Sequence, residues 1–249
     1  MDYVDRMMGN RFSAASASTF LKFTALDRRV QLHLQKVYLT LSVSLAVAAA
    51  GCALDMALHI GGFITFFLSL GCMFGLQAYS ATPANLLKRT ALLAGFAFSQ
   101  GCSLGPLVQM GASISSGLVF TAFAATAAIF VCFSLAALVT QRRSYLFLGG
   151  WLSSAMSMIM VVKLAGWLFG ARAMVFNVEL YLGLLVFSGY VLLDTQLIVE
   201  KASAGNFDHI RHALDLLVDV IAMFVRILII LIKNAEKQRQ AEEKRKRRS

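Results

Sequence analysis

The chain has 249 residues, 58% of them hydrophobic and only 14% charged, with a net charge of +10. So little charge cannot cover a soluble surface at this length, and a mean hydropathy of +0.70 leaves an integral membrane protein as the comfortable class. The apolar stretches are long and continuous, which excludes the alternating segments of roughly ten residues that mark a membrane barrel. The positive charge gathers at the termini and in short loops, a pattern that speaks for topology and membrane lipids, with no nucleic acid partner.

Residues 1–35 are polar and rich in Ser and Ala, and they carry Arg6, Arg11, Lys22, Arg28 and Arg29. They read as a cytoplasmic segment in which LDRRVQLHLQKVYL forms a short interfacial helix. A transmembrane domain is expected over 36–233 and a basic tail over 234–249. Spans fall at about 37–58, 62–82, 90–110, 117–140, 146–169, 176–199 and 212–232, each near the ~20 residues a bilayer requires. The first apolar run starts too late and is too long for a signal peptide. Pro106 is placed to kink the third span. The fourth, TAFAATAAIFVCFSLAALV, is dominated by small residues that favour close helix packing. Cys52, Cys72, Cys102 and Cys132 all lie in apolar stretches without a CxxC pair, and read as small buried hydrophobes.

Lys and Arg set the orientation. Arg28, Arg29 and Lys36 precede the first span, Lys88 and Arg89 lie between the second and third, and Arg142 and Arg143 between the fourth and fifth. The alternate loops hold almost none apart from Arg172, so the N-terminus is cytoplasmic. The seventh segment conflicts with this rule, because a full crossing sends the basic tail to the opposite side. Asp215, Asp219 and Arg226 make it too polar to face lipid all round. The expected fold is therefore an all-α integral membrane protein of seven hydrophobic helices, six of them around a central C-terminal helix. The exit side of that helix is left open.

The last two spans carry the chemistry. Asp194 lies in the sixth, Asp215 and Asp219 in the seventh, and a polar turn at Gly205–Asn206 separates them. That turn falls midway between Asp194 and each of the other two acids, so an antiparallel hairpin brings them to one depth. An ionisable group at membrane depth marks a functional site by default. Two carboxylates meeting in a dry place share a proton and titrate as a unit, which makes Asp194 with Asp215 or Asp219 a pH latch. Asp215, Asp219 and Arg226 share one helical face, a polar stripe toward the sixth helix. The alternative is that Arg226 snorkels toward the Lys233 end.

GCSLGPLV, TAFAATAAIFVCFSLAALVTQRRSYLFLGG, YVLLDTQLIVEKA and VDVIAMFVRILIILIKN, in that order, resemble the Bax inhibitor-1 family of transmembrane Bax inhibitor motif proteins, plant-type members most of all. The resemblance covers about residue 30 to the end. It implies an endoplasmic reticulum protein that suppresses cell death, moderates stress responses and leaks calcium in a pH-dependent way. It also implies a seven-helix fold with a central C-terminal helix. The family's paired acids map onto Asp194 and Asp219; Asp215 is a further acid one turn earlier. Lys88 and Arg89 are candidates for a family arginine that engages the pair.

No cofactor or metal site is expected beyond calcium held transiently at Asp194 and Asp219. His209 and His212 read as solvated turn residues. Lys163 reads as snorkelling, with Asp55 or Glu179 as alternative partners. No enzyme is expected. An intramembrane aspartyl protease also pairs membrane acids, but its YD and GxGD contexts are missing around Asp194 and Asp219. A non-transporting adaptor is the other alternative, its basic tail binding calmodulin or other membrane proteins. The orientation is checked in microsomes. A glycosylation acceptor inserted near Ser113–Ser116 is expected to be modified and one near Arg142 is not; the reverse pattern inverts the topology.

Overall fold

The computed structural model describes residues 27–139, 147–170 and 172–246. Residues 1–26, the Arg142–Arg143 loop and Arg248 lie outside the described residues. Among the described residues, seven α-helices follow one another: α1 Arg28–Leu58, α2 Phe63–Ala78, α3 Leu86–Ile114 after a short 3-10 turn at Pro83–Asn85, α4 Ser116–Val139, α5 Leu148–Phe169, α6 Arg172–Ser203 and α7 His209–Lys246. Five of them, α1 and α3 to α6, are long and apolar enough to cross a membrane, and α2 is a shorter apolar helix of 16 residues. The bundle turns large apolar side chains outward, with Phe63, Ile64 and Phe169 all more than 80% exposed. Such a surface needs lipid against it.

The seventh helix is the core. Ile210, Ala213, Leu214 and Leu217 lie on one side, and His212, Leu216, Asp219 and Met223 on others; all are buried. A helix buried on several faces is enclosed by protein. α1, α3, α4 and α6 touch α7 directly. α2 packs on α3 and α5 on α6, and both face α7 across a cavity that Met73 and Met156 help to line. Six helices thus surround it.

The interfacial helix expected at LDRRVQLHLQ is replaced by the first turns of α1. Nothing interrupts the helix from residue 28 to 58, because the apolar stripe Val30, Leu34, Val37 and Leu41 runs on at helical spacing and is buried throughout. That stripe packs with Ile198 and Ala202 of α6 and with Ile210 and Leu217 of α7 in one cluster. Asp27 caps the start by accepting from the Arg29 backbone N–H at 3.2 Å.

α1 and α3 cross at glycines. A Cβ on Gly101 would collide with the Ala48 backbone carbonyl, and one on Gly51 with that of Phe98. The Cys102 thiol donates to the Gly51 carbonyl at 3.3 Å. Side-chain-free contacts of this kind let two membrane helices touch backbone to backbone. Cys72 and Cys102 are buried, Cys52 is half-buried, and Cys132 is exposed on the outer surface instead of being buried. Pro106 sits inside α3, which continues to Ile114.

His212 is the clearest departure from the sequence reading, which placed it in solvent. It is 1% exposed and His33 is 3% exposed, and their ring nitrogens, His33 Nε2 and His212 Nδ1, lie 2.9 Å apart. α7 begins at His209, not in a turn, so its first turn carries His212 inward against α1. Phe207 closes over the pair, its centroid 5.5 Å from that of His33. His33→Leu leaves one buried ring nitrogen without a partner, a loss of about 1–3 kcal/mol. Thermal unfolding in detergent is expected to fall in the single variant and to recover in His33→Leu/His212→Leu. An unchanged midpoint in the single variant disproves the pairing.

Candidate functional site

The site is built on the hairpin of α6 and α7. α6 ends in a Schellman motif: the Asn206 N–H reaches the Lys201 carbonyl at 2.8 Å and the Gly205 N–H that of Ala202 at 3.0 Å. Gly205 supplies the required left-handed backbone, at φ +92. The Asn206 side-chain oxygen accepts from the Asp208 N–H at 3.2 Å, and Asp208 Oδ1 accepts from the Arg211 N–H at 3.2 Å, capping α7. The N–H groups of Gly205, Asn206, Asp208 and Arg211 thus all find partners within a few residues.

Asp208 is held from outside as well. Arg89, near the start of α3, donates Nη1 to Oδ1 at 2.9 Å and Nη2 to Oδ2 at 2.6 Å. This bidentate pair is nearly buried. Burial pushes the Asp208 carboxyl up, but the hydrogen bonds from Arg89 and from the Arg211 N–H outweigh it and hold the group below its ordinary range. The Arg89 role expected from the sequence is therefore corrected. Arg89 lies level with the hairpin turn, and its guanidinium meets the turn's acid, not the Asp194–Asp219 pair deeper along the helices. Lys88 does not reach the pair either; its ammonium stands 5.6 Å from the Tyr79 ring centroid.

Asp194, Asp215 and Asp219 line one cavity of about 330 Å³. Asp219 is 4% exposed, and its Oδ2 has no hydrogen-bond partner among the described residues. Its carboxyl shares this cavity with those of Asp194 and Asp215, close enough for their charges to act on one another. Gln77 and Arg211, both exposed, stand at the end nearest the hairpin turn. Lys201 and Arg211 offset the charge of Asp215. A larger cavity of about 630 Å³ between α1, α3, α4 and α7 has no ionisable lining residue other than Cys52. The chemistry is therefore concentrated in the smaller one.

Farther along the hairpin, Arg226 donates Nη2 to Glu179 Oε1 at 2.9 Å. It turns toward α6 instead of snorkelling toward Lys233. Lys163 pairs with the same Glu179 oxygen at 3.5 Å while remaining 56% exposed. Asp55, the other partner considered for Lys163, is buried and accepts from the Gly61 backbone N–H. The Lys233 ammonium reaches Asn177 near the start of α6, and Arg239 Nη2 donates to the Ile114 carbonyl at the end of α3 at 2.6 Å. α7 therefore runs the full length of the bundle, and its basic end lies opposite the end where α1 begins. Sequence reasoning missed Asp208 as the partner of Arg89 and Glu179 as the partner of Arg226, although it named Glu179 as an alternative partner for Lys163. The signal for each was an acid near the end of a span, but the helix it would meet was not readable.

The profile of the family described as "Inhibitor of apoptosis-promoting Bax1" matches residues 30–236. Bax inhibitor 1 of Oryza sativa subsp. japonica is 43% identical over 228 residues, 91% of this chain and 90% of the relative. The Arabidopsis thaliana protein of the same name is 42% identical over 233 residues, 94% and 93% of the two chains. The Homo sapiens one is 42% identical over 226 residues, 90% and 94%.

The Arg89–Asp208 pair gives a pH-dependent prediction. Removing one partner of a buried pair costs about 3–5 kcal/mol, so Arg89→Met is expected to unfold well below wild type at neutral pH. A carboxyl held below its ordinary value adds stability above the usual pKa near ~3.9, and that stability is lost as pH falls through its lower folded value. The gap between variant and wild type in thermal unfolding is therefore expected to be widest at neutral pH and to narrow as acid protonates the buried Asp208, first in the variant and last in the wild type. A gap that does not change between neutral and acidic pH refutes the assignment to Asp208.

Proposed function

The chain belongs to the Bax inhibitor-1 family, and from that premise we propose that it is a multi-pass endoplasmic reticulum membrane protein, N-terminus cytoplasmic, that suppresses programmed cell death and moderates stress responses through a pH-sensitive calcium leak. The names of its relatives support the suppression of cell death, and the long apolar helices support several membrane passes. The observation that supports the calcium leak is the cavity that Asp194 and Asp219 share, where Asp219 is buried with one carboxylate oxygen unpartnered among the described residues.

The physical reasoning is short. With one proton between them, the two carboxyls form a charge-assisted hydrogen bond, shorter and stronger than a neutral one. That bond pins α6 to α7. A second proton weakens it, and removal of the last one sets two negative charges against each other in a low dielectric. Either change shifts the hairpin between sealed and open arrangements if these differ by a few kcal/mol. Calcium is a hard cation that takes oxygen ligands, and the carboxylates of the cavity offer only oxygen. It passes here as a transient guest.

The test is calcium flux from proteoliposomes between acidic and neutral pH. Asp219→Asn removes the dissociable proton and the repulsion together, so its flux is expected to lose its pH dependence. Asp215→Asn, which removes a charge outside the direct contact, is expected to shift the profile less. An unchanged profile in Asp219→Asn rules out the latch. Absence of flux in the wild type favours the adaptor reading, in which the helical, exposed basic residues after Lys233 bind partner proteins.

A further inference from the structure

Beyond the acids, α7 carries a cation. Arg226 follows Asp219 by seven residues, about 10 Å of helix. Phe187 precedes Asp194 by the same interval on α6, so antiparallel pairing sets it beside Arg226. The Phe187 ring lines the acid cavity, and the Arg226 guanidinium carbon lies 4.5 Å from its centroid. A single aromatic ring therefore stands between the carboxylates' cavity and a fixed positive charge.

The guanidinium is built into its place. Besides its bond to Glu179, it donates Nη1 to the Ala222 carbonyl at 2.9 Å. Its side chain is 16% exposed and that of Glu179 is 15%. Gly183 leaves the room it fills, since a Cβ there would stand 3.1 Å from Cζ. Its Nε is buried without a hydrogen-bond partner among the described residues. An ion pair buried at this depth is a poor device for stability, because desolvating both charges cancels much of their attraction. The arrangement does have an electrostatic consequence. A cation leaving the acid cavity toward the Lys233 end must pass an arginine in a low-dielectric surrounding, a known means of excluding cations from pores.

We propose that Arg226, held by Glu179 against Phe187, is the charge barrier that limits cation passage from the acid cavity to the far end of the bundle. The proposal rests on the leak reading of the acid cavity and adds to it a residue that sets how much cation passes. Glu179 works in the opposite sense, because its carboxylate offsets part of the arginine charge.

The decisive feature is sign. If the pair only holds helices together, breaking it from either side has one effect on flux. If Arg226 is a barrier, Arg226→Gln raises calcium flux, by roughly tenfold or more for a divalent ion, and Glu179→Gln lowers it. Arg226→Lys, which keeps the charge, stays near wild type. The pH midpoint set by the aspartates stays in Arg226→Lys, rises in Arg226→Gln and falls in Glu179→Gln, because a nearby positive charge favours the ionised carboxylates and a negative one opposes them. Flux changes of the same sign in Arg226→Gln and Glu179→Gln overturn the barrier, as does a rise in Arg226→Lys equal to that in Arg226→Gln.

A second readout does not depend on a leak. Val218→Cys, in a chain whose four native cysteines are replaced by Ala, places a thiol in the acid cavity. A membrane-impermeant cationic methanethiosulfonate is supplied from the Lys233 end. Adding Arg226→Gln is expected to speed modification about tenfold by removing the repulsion, with little change for an anionic reagent. If wild type and variants all lack calcium flux, the leak reading fails and this rate decides the barrier. An unchanged cationic rate overturns it.

Discussion

A helix that bears Asp215, Asp219 and Arg226 cannot face hydrocarbon, and the rest of the bundle follows from enclosing it. The outer helices divide the work. α1, α3, α4 and α6 press on α7 directly, while α2 and α5 close the side where the acids need space. Regular helices satisfy the backbone, as any membrane span must. The remaining charges are met pairwise along α7 and its approach: Arg89 with Asp208 at the turn, and Arg226 with Glu179 farther in. Between these two layers lies the stretch where negative charge is in excess.

Packing is correspondingly uneven. On one flank, α1 and α3 touch backbone to backbone through Gly51 and Gly101, leaving no slack for sliding. At the turn end, the His33–His212 bond ties α1 to α7, and Arg89 ties α3 to the loop between α6 and α7. The opposite flank, where α2, α5, α6 and α7 meet, holds the cavity and the unpartnered Asp219 oxygen. Proteins rearrange where packing is incomplete, because close-packed interfaces resist small displacements. The α6–α7 hairpin therefore has room to move on the acid side, against the glycine-packed contact of α1 and α3.

Much of this was legible in the sequence. Hydropathy alone separates the apolar runs, and a symmetric spacing about Gly205–Asn206 is enough to bring Asp194 level with Asp215 and Asp219. Local signals carry such inferences because a hairpin has only one way to pair its neighbours. Contacts between distant segments were not legible. His33 and His212 stand 179 residues apart, and no periodicity announces that two imidazoles will meet. Arg89, with Lys88, was a candidate for the family arginine on the deeper acids through the resemblance, but its depth is set by the start of α3. The sequence reading bounded a span at about 212–232 and a basic tail at 234–249, and the helix runs on from the one into the other. Glu, Lys, Gln and Ala are good helix formers outside the membrane too, and they carry the helix on to Lys246.

That continuation has a mechanical meaning. α7 is one helix of 38 residues, about 57 Å long at the helical rise, against a hydrocarbon thickness near ~30 Å. Its last turns project as a rod whose inner end is a wall of the acid cavity. Any tilt or axial shift of α7 inside the bundle is delivered to that rod undamped, with no hinge residue between them to absorb it. The rod is also a handle: a load applied to its basic end bears directly on the contact between α6 and α7.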